Sequence, residues 1–284
     1  VIVIIAGGLM TASAYYGIKA IEIVSFISVP LIAILGTYSM VSATADGGGL
    51  SAIFAKSTGM GVVSAVGLVV GSFVSGGSAT PNFTRFAKST SSAVITTVVA
   101  FFLGNTLMFS FGAVGGAFTG KDDIFYVMIA QGLAIPAIVV LGANIWTTNN
   151  NALYTTGLGY ANITKIPKKP LVLVAGILGT LAALWLYDNF VGWLNILNAT
   201  LPPVGTVLIV DYFARRRSYS AGIVAFKWVP VLSILAGALV GWFVKDLGIP
   251  AINAMVTTVV VYLGGMALER ALGLEFTVGE PQDL

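Results

Sequence analysis

The stretch Gly142-Ala143-Asn144-Ile145-Trp146-Thr147-Thr148-Asn149-Asn150-Asn151 lies in the middle of an apolar run from about Ile129 to Tyr160. An unpaired amide or hydroxyl in hydrocarbon costs on the order of 2–7 kcal/mol. Polar groups at that depth face a bundle interior and default to a functional reading. At about 100° per residue, Asn144, Thr147, Thr148, Asn151 and Thr155 fall on one helical face, while Asn149 points roughly 140° away from Asn144. The helix thus offers an uncharged, oxygen-rich stripe and a separate amide. The stripe suits a small hard cation that accepts neutral oxygens, and the amide suits a hydrogen-bonding neutral solute. The other reading is structural: Asn and Thr tie this helix to its neighbours, as polar side chains do in membrane bundles.

The surrounding chain decides the solvent. Of 284 residues, 57% are hydrophobic and 9% charged, and the mean hydropathy is +0.96. Such a composition belongs to a polytopic helical membrane protein. Without cysteine there is no disulfide framework or thiolate metal site, and without histidine there is no neutral-pH proton shuttle. The chain opens on Val1 inside an apolar run, with no initiator Met and no signal-peptide layout. It is expected to be a fragment of a longer protein.

Nine apolar runs are long enough to span, near 1–16, 20–44, 60–80, 91–116, 126–160, 170–187, 190–212, 224–244 and 250–272. The fifth is over-long, which predicts an interfacial segment before Pro136. Taking alternate loops, one side holds Lys19, Arg85, Lys88, Lys165, Lys168, Lys169, Arg215, Arg216, Arg217, Lys227 and Arg270. The other holds Lys56, Lys121 and Lys245. That asymmetry of 11 against 3 accounts for all 14 basic residues and predicts that the first side is cytoplasmic. Val1 then starts outside, so a cytoplasmic natural N-terminus requires an odd number of spans upstream.

The third run contains Gly67, Gly71, Ser72, Phe73, Ser75, Gly76, Gly77, Ser78 and Pro81. This composition disfavours a continuous helix. Unwound backbone at membrane depth is tolerated where it lines a cavity or is buried in protein, and a Gly-interrupted span points to a transporter's binding site. The competing reading is small-residue helix packing through Gly67 and Gly71. Phe73, between Ser72 and Ser75, has an aromatic face on which a flat ring could stack.

Charge placement narrows the chemistry. Glu22, Asp46, Asp122, Asp123, Asp188, Asp246, Glu269, Glu275, Glu280 and Asp283 lie in loops, at span ends or in the tail, and Asp211 ends a span beside Arg215–Arg217. No acid or base sits at mid-depth, where a proton relay or an anion carrier would place one. The solute is therefore expected to be uncharged. Carboxylate pairs, Walker loops and catalytic triads are absent, so no enzyme is expected.

Four segments carry a resemblance. They are Ala100-Phe101-Phe102-Leu103-Gly104-Asn105-Thr106-Leu107-Met108-Phe109, Val127-Met128-Ile129-Ala130-Gln131-Gly132-Leu133, the stretch from Gly142 to Tyr154, and Leu184-Trp185-Leu186-Tyr187-Asp188-Asn189-Phe190-Val191-Gly192-Trp193-Leu194. Together they resemble cytosine-transporting members of the nucleobase–cation symporter family, most densely from Val29 to Arg217. The resemblance implies an all-α fold of the five-plus-five inverted-repeat type shared with sodium–amino-acid symporters. Matched to the family's twelve spans, the chain supplies the fourth to the twelfth, in agreement with the odd number drawn from charge. All of 1–284 is expected to form one transmembrane transport domain of a bacterial inner-membrane protein, acting as a monomer.

The resemblance further implies sodium-coupled uptake of cytosine by alternating access. Asn144, Thr147 and Thr148 match the family's sodium ligands. Ser72, Phe73 and Ser75 match its base-binding broken span, Phe73 stacking and a serine bonding the ring's edge, with Asn149 assisting. Other walls of the cavity belong to upstream spans. A different neutral ring (uracil, a purine, a hydantoin, a vitamin), proton coupling and a passive facilitator stay open.

Overall fold

Among the described residues, each of the nine apolar runs contains helix. The computed structural model describes residues 1–121, 123–214, 226–244, 246–273 and 277–278. Asp122, Arg215, Arg216, Arg217, Lys245, Glu275, Glu280 and Asp283, counted above as loop or tail charges, lie outside the described residues. The helices are α1 (Ile2–Tyr16), α2 (Ile18–Asp46), α3 (Leu50–Phe54), α4 (Val62–Ala79), α5 (Pro81–Thr84), α6 (Thr90–Val99), α7 (Asn105–Thr119), α8 (Ile124–Ala130), α9 (Ala134–Thr164), α10 (Lys168–Asp188), α11 (Phe190–Ala214), α12 (Trp228–Phe243) and α13 (Pro250–Leu272). A two-residue antiparallel pairing joins Phe226–Lys227 to Thr277–Val278. Among the described residues six helices, with α4–α5 and α6–α7 each taken as one, are long and apolar enough to cross a membrane, and α1 and α12 are shorter apolar helices.

Local chemistry sets the ends. Gly17, at φ 98°, turns the chain between α1 and α2 in a single residue, a conformation that favours glycine. The Ser89 hydroxyl accepts from the Ser92 N–H at 3.1 Å at the start of α6. The Asp123 carboxylate accepts from the Phe125 N–H at 2.8 Å to cap α8. As expected, the fifth run is divided: α8 ends before Gly132, at φ 78°, and α9 follows. The fourth run is continuous but carries one π-helical turn, Ala100–Gly104, between α6 and α7. Pro30 lies inside α2, and Pro202 and Pro203 inside α11.

The third run departs from expectation. The helix α4 is unbroken from Val62 to Ala79, and the chain turns only at Thr80, before Pro81. The discontinuous helix expected through Ser72–Gly77 is corrected. Its small residues serve close packing: a Cβ on Gly71 would lie 2.4 Å from the Leu194 carbonyl oxygen of α11. Two of its hydroxyls bond back into the helix, Ser72 donating to the Val69 carbonyl at 2.9 Å and Ser78 to that of Val74 at 3.0 Å. Nothing then favours unwinding.

By its contacts the chain divides into two units, one of residues 1–59 and 82–185, the other of 60–81 and 186–284. In the first, α9 packs on α2 and α1. One core cluster joins Ala14, Ile21, Tyr154 and Val172, and another joins Ile32, Met128, Ala137 and Val140. Ser39 on α2 and Gln131 are joined twice, the Ser39 hydroxyl donating to the Gln131 amide oxygen at 2.6 Å and the Gln131 amide nitrogen to the Ser39 carbonyl at 2.9 Å. Where α1 meets α10 the fit is reciprocal. A Cβ on Gly7 would run into the Thr180 side chain, and one on Gly176 into that of Thr11. Each threonine hydroxyl bonds back into its own helix, Thr11 to the Gly7 carbonyl at 2.6 Å and Thr180 to that of Gly176 at 2.7 Å. In the second unit α11 packs on α4, α12 and α13, around Val207, Val229 and Tyr262. The Tyr262 hydroxyl donates to the Asp211 carboxylate.

Arg85 donates to the Tyr154 hydroxyl at 3.0 Å, and Lys168 Nζ lies 4.4 Å from the centre of the same ring. Tyr154→Phe keeps the ring and removes the acceptor. Because Arg85 is exposed, the loss is expected to be about 1 kcal/mol. In a thermal melt followed by tryptophan fluorescence, the midpoint should fall by about 2–4 °C.

Candidate functional site

The polar stretch from Gly142 to Asn151 lies inside α9, a helix of 31 residues. At ~1.5 Å per residue it is about 46 Å long, more than the ~30 Å hydrocarbon core. Lys165, at φ 60°, closes it, its N–H donating to the Ala161 carbonyl at 3.0 Å. Since the helix is regular through 142–155, the angular order read from the sequence holds.

Thr147 is buried, at 9% exposure. Its hydroxyl hydrogen is directed into its own helix, toward the carbonyls of Ala143 at 3.0 Å and Asn144 at 3.1 Å. A hydroxyl whose single proton is used this way keeps its oxygen lone pairs free to accept. Asn144 and Asn151 are half-buried, and Thr148 is exposed on this unit. The predicted stripe therefore straddles the boundary between the buried and open faces of α9, with Thr147 inside and Thr148 outside. Asn149 is also exposed, and its amide nitrogen donates to the Met10 sulfur of α1 at 3.5 Å. Beside it, Trp146 Nε1 donates to the Ser13 hydroxyl at 3.2 Å.

The most unusual groups in α9 are Asn150, which the spacing leaves off the stripe, and Thr155, which the spacing places on it. Asn150 is fully buried, at 0% exposure, and neither atom of its amide has a hydrogen-bond partner among the described residues. The buried hydroxyl of Thr155 likewise has none. Asn150 stands three residues beyond Thr147, one helical turn along the same buried face, so the spacing was visible. What the sequence could not show was that α9 turns this amide inward.

In the second unit, Ser72 and Phe73 are half-buried and Ser75 is exposed. With α4 unbroken, no unpaired backbone is offered to a ligand, so α4 contributes side chains alone. Gly67 and Gly71 form its buried face, and Phe73 projects on a different one. Asn198 of α11, 6% exposed, has an unpartnered amide oxygen, and its amide nitrogen lies 3.3 Å from where a Gly67 Cβ would stand.

Among the described residues no group of three His, Cys, Asp or Glu side chains is placed to hold a metal. The oxygens of α9 are neutral, a donor set that fits an alkali cation better than a transition metal.

Residues 1–223 match the family described as permease for cytosine/purines, uracil, thiamine, allantoin. The chain is 48% identical over 268 residues to the cytosine permeases of Escherichia coli O157:H7 and of E. coli strain K12, covering 92% of this chain and 64% of each relative. The chain belongs to this permease family and is a multi-pass membrane protein. It spans about two-thirds of the length of the curated relatives it matches, 64%. Among solved structures, it is similar to Mhp1, a nucleobase-cation-symport-1 family transporter, in a closed conformation with bromovinylhydantoin bound. That likeness has a TM-score of 0.73 at 18% identity and covers 93% of this chain and 66% of that one. The inward-facing conformation of Mhp1 matches with a TM-score of 0.66 at 18% identity, over 94% and 65% of the two chains. Over the matched length the fold is thus that of Mhp1, and the relatives it resembles are permeases, not enzymes.

Proposed function

We propose that this chain forms the greater part of a secondary active transporter that imports cytosine, or a similar neutral ring, together with sodium. The observation that carries the reading is Thr147, a buried hydroxyl with its proton turned into its own helix, in a polar stretch without a single charge. On α9, Asn144 through its carbonyl or side chain and the Thr147 and Thr148 hydroxyls hold the ion. On α4, Phe73 stacks on the base and Ser72 or Ser75 bonds its edge, while Asn149 of α9 offers an amide for the same purpose. The ion neutralises no substrate charge. Its role is to favour the outward-open state that binds the base, a reciprocal coupling of about 1–3 kcal/mol. In this reading the protein is a monomeric transport domain of the bacterial inner membrane, with the loops at Arg85 and Lys165 cytoplasmic.

The test is uptake of radiolabelled cytosine with sodium replaced by choline; uptake that ignores the replacement sinks sodium coupling. Thr147→Ala is expected to raise the sodium concentration for half-maximal uptake by about 5–150-fold, the full range of that coupling. The ranking of cytosine over uracil as competitors should stay the same. The opposite pattern, altered ranking with unchanged sodium dependence, removes Thr147 from the ion site. A different ring as the main substrate is a second reading, favoured by the breadth of the family description; the same competition series decides it.

A further inference from the structure

We propose that the groove between α1 and α10 seats one acyl chain of an anionic phospholipid, whose phosphate is held by Lys168 and Lys169. The groove has a volume of about 530 Å³ and an apolar lining that includes Ile4, Gly8, Tyr15, Tyr16, Ile177 and Leu181. It follows α1 from Ile4 to Tyr16, about 18 Å at ~1.5 Å per residue, close to the ~15 Å depth of one hydrocarbon leaflet. Glycine is what hollows it: a Cβ on Gly8 would meet nothing within 4 Å. At the other wall, the tight Gly7–Thr180 and Gly176–Thr11 contacts hold the two helices at a fixed separation.

One end of the groove is cationic. Tyr15, which lines it, carries Lys169 Nζ at 5.0 Å from its ring centre. Lys168 Nζ lies 3.5 Å from the Ala14 carbonyl and 4.4 Å from the centre of the Tyr154 ring. Arg85 bonds the hydroxyl of that same ring at 3.0 Å. Among the described residues, the charges that act on Lys168 are those of Lys169 and Arg85, both positive. Basic side chains gathered at the end of an apolar channel, with no carboxylate acting on Lys168 among the described residues, are the complement of a phosphate joined to a hydrocarbon tail. A zwitterionic lipid satisfies the channel but adds a like charge at its end, and free phosphate satisfies the end but leaves the channel unfilled.

The experiment uses the protein purified from membranes, with lipid retention read by native mass spectrometry as phosphatidylglycerol or phosphatidylcholine of equal chain length is titrated in. Phosphatidylglycerol should be retained at tenfold lower concentration or better. K168Q/K169Q should weaken its retention about 25-fold, roughly fivefold for each charge, and K168R/K169R should restore it. Gly8→Phe, which fills the channel, should expel both lipids. Lys169 is exposed, so K169Q alone gives the same sign if the double variant does not fold. Equal retention of the two lipids, unchanged retention in K169Q, or stripping of phosphatidylglycerol by millimolar inorganic phosphate each overturns the proposal. Substrate and coupling ion do not enter this test.

Discussion

Gly71→Val is expected to be among the most damaging single changes in this chain. The first atom added to Gly71 would stand 2.4 Å from the Leu194 carbonyl oxygen and 3.3 Å from the Asn198 Cβ. The obstruction is backbone, so no rotamer relieves it, and α4 must move away from α11. Between helices in lipid there is little hydrophobic driving force, and close packing carries the association. Overpacking of this kind costs about 3 kcal/mol, a fall of about 6–12 °C in the unfolding midpoint. Gly77→Ala is the control: the same helix gains a methyl where nothing lies within 4 Å, and helix propensity alone predicts a neutral or slightly stabilised protein. Equal midpoints for the two variants would show that α4 and α11 do not pack as described.

Phe73→Ala is expected to weaken cytosine binding by about 5–150-fold, since stacking of a base on an aromatic side chain is worth about 1–3 kcal/mol. The effect should appear in equilibrium binding of labelled cytosine and fall on affinity, with sodium dependence retained. Phe73→Tyr keeps the stacking face and should bind nearly as well as the parent. With α4 continuous, a ring on this helix meets side chains rather than freed backbone donors, so most of what α4 offers a base is the face of Phe73. Unchanged affinity in Phe73→Ala would remove α4 from the binding site.

The helices were legible because hydropathy over twenty residues is a strong signal, and even the division of the fifth run was foreseen from its excess length. The state of α4 was not. Gly67, Gly71, Ser72 and Ser75 encode a broken helix and a closely packed one equally well. What decides between them is Leu194, a residue far along the chain that no local pattern can place. The π-helical turn at Ala100–Gly104 was invisible for a related reason, since nothing in Ala-Phe-Phe-Leu-Gly forbids an ordinary α-helical register. In α9 the polar face could be computed from spacing, but the stripe is split by packing, Thr147 standing inside and Thr148 outside. Asn150 was visible in the sequence too, but three consecutive asparagines differ only in the direction each one points. That direction is set by the packing of α9 on α1 and α2.

The crossing of α1 and α10 constrains how these two helices can drift. Gly7 receives Thr180 and Gly176 receives Thr11, so bulk on one helix is matched by a hollow on the other. A larger residue at either glycine is excluded while its threonine stays, and a smaller one in place of either threonine leaves a void. Tolerated change must therefore come in exchanges, a threonine yielding on one helix as a glycine is filled on the other. Substitutions in the two segments are expected to be coupled even though some 170 positions separate them in the chain.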